Sequence, residues 1–251
     1  MLKFKFLPKF SVIIIFMFIL FTIIGTLSHE LGHAAVANFL GYDTKVSYSS
    51  MSWNHSGFDN DEDVKKMQRL TKGYLNIDYD EWPVELKLNL ERLGKKVIKK
   101  YPYNKSHDLL ITIGGPAQTI FTSFIGLVIL YFRRKEWKID FKITDWLAVF
   151  MSLFILREIF NFISTSFSSL IHSKTNFNGD EYRISVMLGY NEWLIPFLTL
   201  LLSLTISYYV FFKIIPIKYR FTFIVSGLIG GVSGFAIWFG FLGKVIFNSQ
   251  L

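Results

Sequence analysis

Apolar residues occur in five long, nearly uninterrupted runs, separated by segments that are rich in charged residues. The runs cover residues 11–40, 109–132, 145–171, 193–215 and 221–247. Because a helix rises about 1.5 Å per residue, about 20 residues cross the hydrocarbon core of a bilayer. Each run is long enough, so the pattern predicts an all-α integral membrane protein with about five transmembrane helices.

A long charged segment, residues 42–108, separates the first run from the second and mixes acidic with basic residues. Within it, DEDVKKMQRLTKGYL and VELKLNLERLGKKVIKK predict short amphipathic helices. The chain therefore divides into four parts. They are residues 1–41 with the first helix, 42–108 outside the membrane, 109–190 with the second and third helices, and 191–251 with the last two.

Composition and charge support a membrane location. Hydrophobic residues make up 51% of the chain, and the net charge is +8. The basic residues lie beside the apolar runs, as Lys9 and Arg133 do, which indicates contact with anionic lipid head groups and not with nucleic acid. We expect an integral protein of a lipid bilayer, in a bacterial cell membrane. The chain has no cysteine, so a metal ion would need His, Asp, Glu or water as ligands.

The end of the first run carries three polar side chains, His29, Glu30 and His33, in the sequence HELGH. Two histidines four residues apart lie on one face of a helix, and two neutral imidazoles at that spacing can bind one divalent metal ion, most often zinc. Glu30 is close enough to take a proton from a metal-bound water without being a ligand. Such a cluster is costly in hydrocarbon unless it is compensated. The sequence therefore predicts one Zn²⁺.

A catalytic zinc ion usually has three protein ligands, so one more must come from another helix. The candidates are Asp180, Glu181, His172 and Glu158. Asp180 is favoured because it follows Gly179, which permits a tight turn, and begins a predicted helix. Glu181 is the reserve, and Glu158 is expected to form an ion pair with its neighbour, Arg157.

Three stretches of the chain resemble the site-2 protease family of intramembrane zinc metalloproteases. They are HELGH at 29–33, late in the first run, GGPAQT at 114–119, opening the second, and NGDE at 178–181, after the third. Family members carry HExxH on one helix, a Gly-Pro motif in the next, and an Asp-containing motif at the end of a third.

The resemblance implies roles for individual residues. His29, His33 and Asp180 would bind zinc, and Glu30 would be the general base. The substrate would be a transmembrane segment or a membrane-tethered regulator, cleaved by peptide-bond hydrolysis.

Four further residues are candidates for substrate binding. Gly115 and Pro116 weaken the helix and let another backbone approach closely, and Gln118 offers a hydrogen bond to an unwound substrate. Asn161 stands where the family has an Asn-Pro pair. Simple helix packing is the alternative explanation for the Gly-Pro stretch.

Two other functions fit the same residues. A metal-holding scaffold or a membrane carrier would also explain buried polar groups, and another class of membrane metalloprotease would use Glu181 as the third ligand. Basic residues in the short links favour a cytoplasmic N terminus, which would place His29 and His33 nearer the outer side of the membrane. The zinc site of the family, in contrast, generally opens toward the cytoplasm. The orientation, the oligomeric state and the identity of the substrate stay open.

Overall fold

The structure is a computed structural model that describes residues 5–171 and 179–248. In these two ranges almost all regular structure is helical, and five helices are long and apolar enough to cross a membrane. These candidate spans are Pro8–Phe39, Lys105–Phe132, Ile143–Ser169, Leu194–Ile214 and Ile217–Phe247. The prediction of about five long apolar helices is confirmed, with bounds within a few residues of those expected.

The regular elements follow one another with short connections. In chain order they are α1 (Pro8–Phe39), β1 (Tyr42–Val46), β2 (Met51–His55), α2 (Glu62–Thr71), α3 (Val84–Lys100), α4 (Lys105–Phe132), α5 (Ile143–Ser152), α6 (Leu156–Ile171), α7 (Asp180–Met187), α8 (Leu194–Tyr209), α9 (Ile217–Ile237) and α10 (Gly243–Asn248). A 3₁₀ turn at Leu153–Ile155 joins α5 to α6 within the third span, and a π-helical turn at Trp238–Leu242 joins α9 to α10.

The charged segment begins with a β-hairpin, which the sequence pattern did not predict, whereas α2 and α3 lie in the two stretches predicted as short amphipathic helices. β1 and β2 pair antiparallel, with Tyr42 opposite His55. Gly41 has a φ of +86°, a left-handed conformation that lets the chain turn out of α1 without steric cost. Tyr42 is buried against Ala37 and Ile111, which fixes the base of the hairpin to the end of α1.

The far end of the hairpin reaches the last candidate span. The indole nitrogen of Trp238 donates a hydrogen bond to the carbonyl oxygen of Tyr48 at 2.8 Å. A Cβ atom on Gly243 would lie 2.7 Å from the Tyr48 ring, so only glycine leaves room for that ring. The hairpin therefore connects the first span with the last.

Helix α1 lies in the middle of the bundle and packs against α4 and α9. A Cβ on Gly230 of α9 would lie 2.7 Å from the carbonyl oxygen of Ile15. On the other side, a Cβ on Gly32 would lie 2.5 Å from the carbonyl oxygen of Gly114 in α4. Small residues allow such close helix crossings in lipid. The helix that carries HELGH is thus held between two neighbours.

The apolar core surrounds the first half of α1. Phe18 contacts Phe150 and Phe223 in edge-to-face arrangements, with ring centroids 5.1 Å and 5.4 Å apart. In the 3₁₀ turn that follows α5, the backbone N–H of Ile155 bonds to the hydroxyl of Ser123 at 3.1 Å. This bond ties the break in the third span to α4 and sets where α6 begins.

Helix α4 begins at Lys105, four residues before the predicted start of the second span. Asn104 caps it by accepting hydrogen bonds from the backbone N–H groups of Ser106 and His107, at 3.0 Å and 3.1 Å. An Asn side chain satisfies the free N–H groups of a first turn well. Asp108 therefore lies inside the helix and belongs structurally to the second span.

Candidate metal centre

His29 and His33 meet on the side of α1 that faces α4 and α7. Their Nε2 atoms are 3.3 Å apart, and the rings are nearly perpendicular, with centroids 4.9 Å apart. Both residues are buried, with exposed fractions of 0% and 7%. The one-turn spacing in the sequence therefore gives the predicted pair of facing imidazoles.

Asp180 closes the group from a different part of the chain. Its Oδ2 atom lies 2.9 Å from Nε2 of His29 and 3.2 Å from Nε2 of His33. Gly179 is the N-cap of α7, in an extended conformation, and Asp180 is the first helical residue. Of the four candidates for the third position, the structure places Asp180 beside the histidines. His172 lies outside the described residues, as does Asn178 of the NGDE stretch.

The three atoms fit a metal ion. The ligands of a tetrahedral zinc ion, at about 2.0–2.1 Å from it, lie about 3.3 Å from one another. The observed separations are 3.3, 2.9 and 3.2 Å. His29, His33 and Asp180 thus form a buried group that could hold a metal ion, although metal binding itself stays a prediction.

The outer nitrogens of both rings have their own partners. Nδ1 of His29 lies 3.0 Å from the hydroxyl of Thr119, and Nδ1 of His33 lies 2.7 Å from the carbonyl oxygen of Ile111. The carbonyl can only accept, so a proton on Nδ1 of His33 would leave its Nε2 free to bind a metal ion. This pattern of outer partners is typical of metal-binding histidines.

Gly115 forms the wall behind the two rings. A Cβ atom there would lie 2.5 Å from Nε2 of His29 and even closer to Nε2 of His33. Its backbone nitrogen lies 3.2 Å from Nδ1 of His33. Gly115 is therefore required for space at the metal group, although its predicted role was substrate binding.

The other predicted substrate-binding residues lie in different surroundings. Gln118 donates a hydrogen bond to the hydroxyl of Thr122 at 2.9 Å. Pro116 is buried within α4, and Asn161 lines an apolar cavity between α1, α6 and α9. These surroundings do not test contact with a substrate, so the roles of Gln118, Pro116 and Asn161 in substrate binding stay predictions.

Glu30 is buried beside the metal group but is not one of its three members. Its carboxylate accepts a hydrogen bond from the backbone N–H of Met51 in β2. The hairpin therefore orients the predicted general base. A side chain next to the metal ligands, held by a backbone donor, suits proton transfer and not coordination.

A polar cluster anchors the short helix that carries Asp180. Asp108 of α4 accepts hydrogen bonds from Tyr103 at 2.7 Å and from Arg183 at 3.3 Å. The hydrogen bond to Asp108 raises the pKa of the Tyr103 phenol. Because Arg183 lies three residues after Asp180, this ion pair ties α7 to α4 close to the metal group.

The expected ion pair between Arg157 and Glu158 is absent from the described part of the chain, so that prediction is wrong. Neither oxygen of Glu158 has a hydrogen-bond partner among the described residues, and the same holds for Nε of Arg157. Neighbouring residues on a helix do not face each other. Arg157 lines the apolar cavity between α1, α6 and α9.

The structure distinguishes Asp180 from Glu181, the two carboxylates that the sequence left as candidates for the third ligand. We expect Asp180→Ala to weaken zinc binding by more than about 100-fold, beyond the 10–100-fold range of outer partners, and Glu181→Gln to weaken it by about 10-fold at most. Competition with a zinc-selective chelator measures both variants. Retained affinity in Asp180→Ala, with loss in Glu181→Gln, would identify Glu181 as the ligand.

Some contributors to this site were missed from the sequence. Thr119 lies in the GGPAQT stretch, and its position one helical turn after Gly115 could have identified its hydroxyl as a contributor to the site. Two others are backbone groups, the carbonyl of Ile111 and the N–H of Met51, and backbone groups carry no signature in a sequence.

Comparisons of the chain with protein-family models, with curated proteins and with solved structures find no match. Its function must therefore be argued from its own residues.

Proposed function

We propose that the protein is an intramembrane zinc metallopeptidase of the site-2 protease kind. The observation that carries this proposal is the pair of His29 and His33, on a helix apolar enough to cross a membrane, which meets Asp180 of α7 and has Glu30 beside it. A structural role alone gives no reason to bury two imidazoles and two carboxylates at one point, because each is costly there.

The proposed chemistry assigns one task to each residue. His29 and His33, through Nε2, and Asp180, through Oδ2, would hold the zinc ion. When bound, zinc supplies a positive charge that polarises a carbonyl group and acidifies water near neutral pH. The carboxylate of Glu30 takes a proton from the attacking water and delivers it to the departing amide nitrogen. Met51 keeps that carboxylate oriented through its N–H group.

The proposed substrate is a transmembrane segment or a membrane-tethered regulator. Within hydrocarbon a peptide satisfies its backbone as a helix, so cleavage requires a segment that unwinds locally. The lipid bilayer is the expected surroundings of the five candidate spans, and nucleic acid has no role in this function. A location in a bacterial cell membrane stays a prediction.

Metal removal tests this function. We expect the purified protein to cleave at least one member of a panel of labelled apolar peptides in detergent micelles or proteoliposomes. Treatment with 1,10-phenanthroline should abolish cleavage, and added zinc should restore it, because the proposed hydrolysis requires the bound ion. Mass spectrometry of the products measures both steps.

A different outcome would favour the second candidate, a metal scaffold or carrier. Stoichiometric zinc binding without cleavage of any peptide, together with zinc transport into proteoliposomes, would contradict the peptidase proposal. Cleavage that is insensitive to the chelator would contradict it as well.

A further inference from the structure

An apolar cavity of about 400 Å³ lies between α1, α6 and α9. Its wall on α1 includes Phe18, Thr22 and Thr26, which lie on the helix face that continues to His29 three residues later. Thr119, the partner of His29 Nδ1, also lines it. The cavity therefore ends next to the proposed metal centre.

The outer side of the cavity is closed by two aromatic rings. Phe160 of α6 and Phe235 of α9 lie with their ring centroids 4.9 Å apart, and both side chains are exposed on the outside of the bundle. A membrane-embedded chain that reached the cavity from the lipid would pass between α6 and α9.

Few polar groups in the cavity remain for a ligand. The hydroxyls of Thr22 and Thr26 donate to carbonyls of their own helix, at 2.8 Å and 2.9 Å, and Thr119 is engaged by His29. Arg157 and Asn161 are left, four residues apart on α6 and hence on one face of it.

Arg157 is the informative residue of this pair. It is only partly exposed, it forms no ion pair within residues 5–171 and 179–248, and its Nε has no hydrogen-bond partner there. An arginine within an apolar span normally pairs with an acid or another strong acceptor, and its planar fork matches a carboxylate.

We propose that this cavity binds the substrate segment next to the cleaved bond and that Arg157 selects an acidic side chain in that segment. This inference rests on the proposed peptidase function and names the substrate class. An Asp or Glu in an apolar peptide is costly in hydrocarbon. Pairing with Arg157 compensates that cost in the cavity, so the acid is recognised there and disfavoured in lipid. Asn161 provides a neutral hydrogen bond beside it.

Binding of two designed peptides tests the proposal. Both are labelled Leu/Ala helices of about 20 residues with flanking lysines, and they differ only in a central Glu or Gln. Affinities are measured by fluorescence anisotropy in micelles, with zinc-loaded protein carrying Glu30→Gln so that cleavage does not intervene. We expect the Glu peptide to bind about ten-fold more tightly, as for a desolvated charge pair.

Variants assign the preference to the cavity. In Arg157→Gln the two peptides should bind equally, and in Arg157→Lys part of the preference should remain. Arg92→Gln removes the same charge from the exposed surface of α3, away from the cavity lining, and should keep the full preference. Equal binding of the two peptides to the parent protein would overturn the proposal, even if Arg157→Gln does not fold. So would a preference that survives in folded Arg157→Gln.

Two further outcomes separate this proposal from its alternatives. If oleate binds in an Arg157-dependent manner and neither peptide does, the cavity is a lipid site and the proposal is wrong. If wild-type protein cleaves both peptides equally and binds them equally, the peptidase function stands and the acidic preference fails. If the protein binds the Glu peptide more tightly but cleaves neither peptide, the acidic preference stands and the peptidase function fails.

Discussion

The variant Glu30→Gln should bind zinc as tightly as the wild type and should have lost nearly all peptide cleavage. Glutamine keeps the size of the side chain and can still accept the hydrogen bond from Met51, but it cannot take up a proton. General acid–base catalysis contributes about 10²–10⁴-fold to rates, so we expect a loss of at least about 100-fold. Cleavage of a membrane-embedded peptide, measured alongside zinc content, checks both halves of this prediction.

The two parts of this prediction, retained zinc binding and lost cleavage, can be contradicted separately. Glu30 is not among the three members of the metal group, so loss of zinc in Glu30→Gln would mean that Glu30 is a ligand. Cleavage at the wild-type rate with zinc retained would mean that another group moves the proton. Glu62→Gln, an exposed change of the same kind in α2, is the matched control and should leave both properties unchanged.

The variant Gly115→Ala should lose the metal centre, although Gly115 is not one of the proposed metal ligands. The added methyl would overlap Nε2 of both histidines, at 2.5 Å from that of His29. Buried side chains cannot yield at such distances without a shift of the helices. We expect zinc affinity to fall by more than about 100-fold, which is beyond the range for an outer partner. Chelator competition and zinc analysis of the purified protein measure the loss.

A second glycine provides the control for this substitution. A Cβ on Gly25 of α1 meets no atom within 4 Å, and alanine is favoured over glycine in a helix by about 1 kcal/mol. Gly25→Ala should therefore keep the zinc affinity of the wild type. Normal zinc binding by Gly115→Ala would show that α1 and α4 do not approach as closely as described.

Much of this architecture can be predicted from the sequence because it depends on local periodicity. Long apolar runs give the five candidate spans, and the spacing of four places His29 and His33 on one face. Asp180 was identifiable because a carboxylate after Gly179 begins a helix at the end of another apolar run. These inferences need no knowledge of how distant segments pack.

The features that were missed depend on contacts between distant segments. The β-hairpin has strands of only five residues, and its position depends on Tyr42 packing against Ile111. The role of Gly115 follows from the approach of α4 to the rings, which no pattern within GGPAQT reveals. The wrong ion pair, Arg157 with Glu158, came from reading adjacency in sequence as adjacency in space, whereas consecutive helical residues point about 100° apart.

The ligand triangle joins segments that are separated by 147 and 151 positions in the chain. An ion held by such ligands acts as a cross-link, because it binds the assembled bundle far better than the unassembled chain. Its binding free energy is therefore added to the free energy of unfolding. A metal ion bound at this triangle would therefore raise the resistance of the protein to heat, so that metal loading and thermal stability would change together.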